Sequence, residues 1–238
     1  MPDDLILAFD TSGPWCAVSL LQGDEVCAQA YEPMAKGQAE RLMPMVEAVM
    51  AEDGLPLDVL DAIAVGVGPG NFTGLRIAVS AARGLALALG VPAVGVTAFE
   101  VMRGATTGEA LASQLVSLEG PRGGHYLQLF EGGMAQGDPI YLADHHQADW
   151  AALGVTAQTE VLGYNADILS ELHLPVYEAE GPAAYCAALP TTELAATIGR
   201  IARAKLRSGE VLPRPAPLYV RSADAAPARD TGPVILPS

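Results

Sequence analysis

Short apolar runs and helix-spaced apolar stripes alternate along the first half of the chain. A short apolar run bounded by turn residues is typical of a buried strand, and a stripe with a period near 3.6 is typical of a helix. Strands are predicted at residues 5–9, 15–21, 25–31, 62–67 and 93–96, and helices at residues 38–53 and 73–89. Gln22-Gly23-Asp24 predicts a hairpin turn between the second and third strands. This order indicates an α/β fold.

The second half carries a weaker pattern. Strands are predicted at residues 115–119, 125–131, 140–143 and 160–163, and helices at residues 144–153 and 192–206. The glycine and threonine residues of positions 104–108 favour a turn, and we place a boundary there between lobes at 1–105 and 106–238. The C-terminal helix is free to pack back on the first lobe, and the proline-rich tail after Val211 is expected to be extended.

The first predicted helix has a wide apolar face. The core stripe is widened by Ala39 and Met43, and methionine-rich surfaces suit adaptable protein contacts. Ordinary core packing and a protein interface therefore explain this face equally well. The stripe consists of Leu42, Met45, Val46, Val49 and Met50.

The second predicted helix has almost no polar face. After Leu75 its polar side chains are Arg76, Ser80 and Arg83, whereas Ile77, Ala81 and Leu85 belong to its apolar majority. A helix that is apolar all round is buried in the core or against a partner. Because the apolar stretch is short and interrupted, we expect no membrane partner.

Two turns at strand ends carry candidate anion chemistry. Gly68-Pro69-Gly70-Asn71-Phe72 joins a strand to the apolar helix, where backbone N–H groups can hold phosphate. It lacks the Gly-Lys-Ser/Thr of a P-loop and the third glycine of a dinucleotide fingerprint. Asp10-Thr11-Ser12 follows the first strand and could hold hydrated magnesium and phosphate. An ordinary tight turn explains each segment without a ligand, and taken alone the residue types favour that explanation.

Charge and cysteine content narrow the function. With 13 basic and 28 acidic residues the net charge is -15, which disfavours unaided binding to a nucleic-acid backbone. Three cysteines without a C-x-x-C pair argue against a disulfide framework and a zinc site. Cys16 and Cys27 are expected near each other on one hairpin face. The acidic N-terminus does not suit a signal peptide, so we predict a cytoplasmic protein with reduced thiols.

Four motifs in order give the chain a family resemblance. They are Asp10-Thr11-Ser12, GQAERLMP at 37–44, GVGPGNFTGLR at 66–76 and PLYVR at 217–221. Together they resemble the TsaB (YeaZ) family, specifically over about residues 5–105 and again at 217–225. The resemblance implies the two-lobed α/β fold of actin, Hsp70 and sugar kinases (ASKHA), with mixed sheets.

The resemblance also implies a function. A TsaB-type chain is a non-catalytic subunit that supports the TsaD-type transferase, which adds threonylcarbamoyl to the adenosine beside the tRNA anticodon. A TsaE-type ATPase joins the complex, tRNA is reached only through it, and ATP or ADP with magnesium at the shared assembly is left open. The partner is expected on the two apolar helices, which could also form a homodimer. The expected contact residues are Leu42, Met43, Met45, Val46, Val49, Met50, Ile77, Ala81 and Leu85.

Two departures bear on catalysis. The catalytic relative holds its metal with two histidines after a Gly-Val, and Ala98 and Met102 occupy those places here. Gln38 stands where many members have histidine, and we assign it no chemistry. The resemblance therefore implies a partner without a metal site, in which Asp10, Thr11, Ser12 and the turn at 68–72 are a relic of a nucleotide cleft.

The alternative class is an autonomous nucleotide-binding enzyme, either a phosphotransferase or a peptidase. It would rest on Asp10, Ser12 and the glycine-rich turn. No second acid is placed as a general base, and the chain contains no G-x-S-x-G. This alternative ranks below the supporting subunit.

Overall fold

The strands assemble into two five-stranded mixed sheets. The computed structural model describes residues 4–106, 113–144, 148–156, 158–169, 176–177, 193–209 and 211–220. The first sheet has the order β3-β2-β1-β4-β5 and consists of β1 (Leu5–Asp10), β2 (Trp15–Gln22), β3 (Glu25–Pro33), β4 (Ala62–Gly68) and β5 (Ala93–Thr97). The second has the order β10-β9-β6-β7-β8 and consists of β6 (Ser113–Glu119), β7 (His125–Glu131), β8 (Met134–Leu142), β9 (Glu160–Gly163) and β10 (Val176–Tyr177).

Five α-helices lie in the described residues. They are α1 (Gln38–Glu52), α2 (Phe72–Leu89), α3 (Ala98–Thr106), α4 (Ala166–Leu169) and α5 (Leu194–Ser208), with 3-10 turns at Leu57–Val59 and Pro121–Gly123. The Asn71 side chain caps α2 by accepting from the Gly74 N–H at 2.9 Å, and Gly90 ends the helix in the left-handed conformation. Thr97 and Glu100 form a capping box at the start of α3, with reciprocal bonds of 2.8 and 3.1 Å.

The first sheet is covered on both faces. Leu7 and Phe9 of β1 point into a core shared with α1 and α2, whereas Ile6 and Ala8 point into a second core shared with α5. Alternate residues of a strand face opposite sides of the sheet, so a strand buried on both sides reads as a continuous apolar run. This arrangement explains why β1 and β4 lack a polar alternation.

Most predicted elements are confirmed, with some exceptions. The helix expected at residues 144–153 does not form in its described part, where residues 150–154 are turns and residues 145–147 lie outside the described chain. The strand predicted at 140–143 is the end of the longer β8. In the tail, residues 211–220 form neither helix nor strand, and the Leu218 N–H donates to the Val67 carbonyl at 2.8 Å.

Two smaller expectations also change. Cys16 is buried opposite Glu32, whereas Cys27 is exposed farther along β3 beside a bulge, so the two thiols are not neighbours. By length and composition alone α2 could cross a membrane, with 18 residues and a mean hydropathy of 1.4. Six of its residues nevertheless pack into the core beneath the helix. Its inner face is therefore a packing face of this fold.

Candidate functional site

The two turns that carry candidate chemistry lie side by side. β1 pairs in parallel with β4, so the segments that follow their carboxyl ends, Asp10–Ser12 and the turn at 68–72, meet at one edge of the sheet. The Thr11 hydroxyl donates to the Gly74 carbonyl at 2.7 Å, and the Asn71 N–H donates to the Ser12 carbonyl at 2.6 Å. The fold therefore brings together both sequence-predicted segments.

The contact between these turns is closed. Gly74 lies so near the Thr11 carbonyl that a methyl group added at position 74 would clash with its oxygen, and a methyl group at Gly70 would clash with the Ser12 carbonyl. These glycines could have left backbone N–H groups open to a phosphate. Instead, their lack of a side chain lets the Thr11–Ser12 segment pack against the turn. Thr11 and Ser12 are buried, whereas Gly70, Asn71 and Phe72 are at the surface.

Asp10 is the centre of this arrangement. It is fully buried, and its Oδ1 accepts three hydrogen bonds, from the Ser12 N–H at 2.7 Å, the Ser12 hydroxyl at 2.8 Å and the Trp15 indole N–H at 2.9 Å. Its Oδ2 is buried against Gly66 with no hydrogen-bond partner among the described residues. Burial raises the pKa of the Asp10 carboxyl above its ordinary value, and the three hydrogen bonds only partly oppose this shift.

This geometry suits a structural carboxyl better than a magnesium ligand. Magnesium needs octahedral oxygen ligation and retains several waters, so its site must admit solvent. Asp10 is closed to solvent, and the described part of the chain contains no group of three or more His, Cys, Asp or Glu side chains placed to hold a metal. Trp15, whose ring lies against Gly13, completes the closure. Sequence reasoning missed Trp15, because nothing in a strand's first residue signals contact with the preceding strand's end.

The exposed side of the glycine-rich turn carries an aromatic cluster. The Phe72 and Tyr219 rings stack with centroids 5.0 Å apart, and the Arg76 guanidinium lies 3.9 Å from the Phe72 centroid. Arg76 Nε also donates to the Tyr219 hydroxyl at 3.0 Å. Leu218 and Val220 on either side pack against the core beside the second sheet. The PLYVR motif thus ties the tail to the turn, a contact that spacing in the sequence could not reveal.

The predicted partner contacts divide into two groups. Met43, Ile77, Ala81 and Leu85 are only partly buried and reach the surface. The other five form the core under α1, so placing them in a partner interface was wrong for this fold, because the sheet already covers them. These five are Leu42, Met45, Val46, Val49 and Met50.

The outward faces of α1 and α2 differ in character. The exposed residues of α1 include Glu40, Arg41, Glu47 and Glu52, which is an ordinary solvated face. α2 instead exposes Ser80, Gly84, Leu87 and Ala88 in addition to its two arginines, and Leu87 is 85% exposed. These four residues and the partly buried Ile77, Ala81 and Leu85 form a surface that we call the outer face of α2. An apolar helix face without cover in the described chain is typical of an interaction surface.

The two places where the resemblance expects histidines are closed. Ala98 and Met102 lie on α3, are 3% and 1% exposed, and pack with Phe99 and Leu162 in the core beside the second sheet. An alanine methyl has no donor atom, and a thioether is a soft ligand unsuited to a hard metal. A metal bound through side chains at these positions does not fit.

A serine–histidine pair lies elsewhere in the molecule. The Ser117 hydroxyl and His125 Nδ1 are 3.0 Å apart on neighbouring strands, and both residues are buried. A nucleophile must be reachable by its substrate, and Ser117 is completely enclosed. The pair therefore stabilises the pairing of β6 with β7 and supplies no catalytic centre.

Comparison with known proteins finds similarity over part of the chain in sequence and over most of the chain in structure. A model of the TsaD family, described as tRNA N6-adenosine threonylcarbamoyltransferase, matches residues 32–131. The tRNA threonylcarbamoyladenosine biosynthesis protein TsaB of Escherichia coli is 38% identical over 97 residues, covering 41% of this chain and 42% of the relative. A Pseudomonas aeruginosa crystal structure, described as an uncharacterised protein with similarity to the peptidase YeaZ, is 26% identical with a TM-score of 0.64, over 92% of this chain and 100% of that one. The chain is similar to proteins of the TsaB (YeaZ) family.

The fold of this chain extends to more distant proteins. The ROK hexokinase of Thermus thermophilus has a TM-score of 0.52 at 14% identity, over 86% of this chain and 100% of that chain. At that identity the likeness shows the fold alone. It confirms the α/β ASKHA class with two mixed sheets. The chain spans about half or less of the length of the curated relatives that it matches. The matched share is 42% of the E. coli protein and 51% of a Mycobacterium bovis protein.

Proposed function

We propose that this chain is the non-catalytic subunit that supports a TsaD-type transferase in threonylcarbamoyladenosine (t6A) biosynthesis. The observation that carries the proposal is the pair Ala98 and Met102, buried where the transferase has its metal-binding histidines. Without those donors the chain cannot polarise the threonylcarbamoyl donor by that route. Similar proteins of other bacteria are named as biosynthesis proteins for the same modification.

The outer face of α2 supports the choice of partner. Its apolar residues lie beside the solvated face of α1, and the two helices pack side by side on one face of the first sheet. A catalytic relative with the same fold presents an equivalent pair of helices, so the two chains can pack helix against helix. A second copy of this chain would use the same face when that partner is absent.

The other components follow from charge and from the closed turn. A chain of net charge -15 is a poor ligand for tRNA, so the tRNA surface belongs mainly to the transferase. A TsaE-type ATPase and any ATP or ADP with magnesium belong to the assembly rather than to Asp10, which has no exposed oxygen. The alternative of an autonomous phosphotransferase or peptidase loses support for the same reason.

Reconstitution tests the proposal. The chain and the TsaD-type subunit from the same organism are mixed, the heterodimer Kd is measured by calorimetry, and t6A is measured on unmodified tRNA with threonylcarbamoyl-AMP and the TsaE-type ATPase. We expect a stable heterodimer and no t6A when the TsaD-type subunit is omitted. Transfer by the chain on its own, or full transfer without it, would refute the supporting role.

Surface substitutions locate the interface. Ala48→Glu on α1 and Ser80→Glu on α2 replace exposed small residues, so they should leave folding intact and weaken the heterodimer by about tenfold or more. Ala151→Glu, an equally exposed alanine in the turn before β9, is the matched control and should change nothing. Equal Kd values for all three variants would place the interface elsewhere.

A further inference from the structure

A groove opens at the C-terminal end of α2. It has a volume of about 770 Å³ and lies between the last turns of α2, the start of β5, the end of α5 and residues 212–215. Leu87, Val91, Leu206 and Leu212 give it apolar walls, and Arg83 and Arg214 stand at its rim. The mechanism proposed above makes no use of this groove.

Its apolar walls are unusually exposed. Leu87 is 85% exposed, and Val211, next to the lining residue Leu212, is 98% exposed. These are the two most exposed large hydrophobic side chains among the described residues; Leu87 lines the groove, and Val211 directly precedes a lining residue. Apolar exposure concentrated at one concave place is typical of a binding surface rather than of random surface composition.

The charge of the groove is opposite to that of the chain. Arg83 and Arg214 are exposed and form no ion pair with any residue that the structure describes, and no acidic residue lines the groove. Unpaired arginines in a chain with 28 acidic residues are available for carboxylates of another molecule. The carboxyl end of α2, which carries partial negative charge, also lines the groove. Acidic groups of an occupant are therefore favoured beside the two arginines, and apolar groups are favoured against the apolar walls.

We infer that this groove docks an acidic segment with an aliphatic anchor, contributed by the TsaD-type partner. The inference rests on the proposed function, because Leu87 belongs to both the groove and the outer face of α2, so one partner covers both surfaces. The anchor lies against Leu87 and Leu206, and flanking carboxylates pair with Arg83 and Arg214. A nucleic-acid strand fits less well, since its phosphates lack an aliphatic anchor and the remaining surface repels them.

Charge reversal in the heterodimer tests the inference. The double substitution Arg83→Glu and Arg214→Glu should raise the Kd for the TsaD-type subunit by about tenfold and flatten its dependence on salt. Leu87→Ser removes the exposed wall and should also weaken binding. Arg122→Glu, at an exposed arginine in the 3-10 turn of the second sheet, is the control and should leave Kd unchanged. Circular dichroism and thermal unfolding establish that each variant is folded.

The outcomes separate the inference from the proposed function. A wild-type heterodimer whose Kd is unchanged by the double reversal overturns the inference and leaves the proposed function standing. If Leu87→Ser weakens the heterodimer and the double reversal does not, the occupant of the groove is not acidic. If no wild-type heterodimer forms, the proposed function fails, and a synthetic peptide of alternating glutamate and leucine becomes the probe. Fluorescence-polarisation binding of that peptide, lost on double reversal, supports the groove, and absence of binding overturns it.

Discussion

Replacing Asp10 by asparagine separates a structural role for this carboxyl from a ligand-binding role. Asparagine retains an oxygen that can accept from the Ser12 N–H, the Ser12 hydroxyl and the Trp15 indole, but it carries no charge. The buried Oδ2, which has no partner among the described residues, is replaced by a neutral amide nitrogen. The substitution therefore keeps the geometry and removes a desolvated charge.

The sign of the effect depends on pH. Burial raises the pKa of native Asp10, so between the ordinary value of 3.8 and the raised native value the folded state holds more protons than the unfolded state. Wild-type stability due to this group is therefore fully present below 3.8 and is lost as pH rises through the native pKa. Asp10→Asn lacks this loss. Its stability relative to wild type should rise with pH, reaching equal or greater stability at neutral pH.

Asp10→Ala gives the contrasting magnitude. It deprives three donors of their common acceptor, and an unsatisfied buried donor costs about 1–3 kcal/mol. Allowing for relaxation and water entry, the free energy of unfolding should fall by about 3–5 kcal/mol at neutral pH. Urea denaturation at a series of pH values measures all variants, and Asp138→Asn, at an exposed carboxyl, is the control.

One result would refute this reasoning. If Asp10→Asn destabilises the chain as much as Asp10→Ala at every pH, the charge itself is required. A magnesium-dependent stabilisation of the wild type that disappears in Asp10→Asn would further assign that charge to an ion, and the closed turn would then have to open in solution.

Two further predictions concern the thiols and the tail. Burial raises the pKa of the Cys16 thiol to about 11, so maleimide at about pH 8 should label the exposed Cys27 and spare Cys16. Peptide mass spectrometry measures the labelling, and labelling of native Cys16 at the rate of Cys27 would contradict its burial. Tyr219→Phe removes only the bond from Arg76 and should cost about 0.5–1 kcal/mol, whereas Tyr219→Ala also removes the Phe72 stack and should cost about 1–2 kcal/mol in urea unfolding. Equal costs would deny the stack a role.

The sequence predicted the strands and helices of the first sheet well because their patterns are local. β1 and β4 are continuous apolar runs bounded by turns, and the capping box at Thr97 is a spacing that needs no tertiary knowledge. The helix predicted at 144–153 failed because its alternation of apolar and polar residues also fits a series of turns, and nothing local decides between them. Weak periodicity was the signal that this prediction lacked support.

The candidate site shows a different limit. Asp10, Thr11 and Ser12 were found from their place at the end of a predicted strand, and the parallel pairing of β1 with β4 brings them to the glycine-rich turn. Whether that turn opens to a ligand or closes on its neighbour depends on how closely the backbone of Thr11 and Ser12 approaches Gly70 and Gly74. Trp15 and Tyr219 complete the arrangement from distant points of the chain. Such contacts are set by the fold and have no local pattern.

The two helices on the first sheet show why an apolar stripe does not by itself reveal an interface. In α1 all five stripe residues are buried in the core, and the exposed face carries charged residues. Folding alone therefore explains the apolar residues of this stripe. In α2 the sheet covers Leu75, Ala78, Val79 and Ala82, yet Ile77, Leu85 and Leu87 remain on the outside. A partner is therefore indicated by apolar residues that the sheet leaves uncovered, rather than by the apolar stripe itself. By that measure the surface to be covered runs along α2 and ends in the groove beside Leu87.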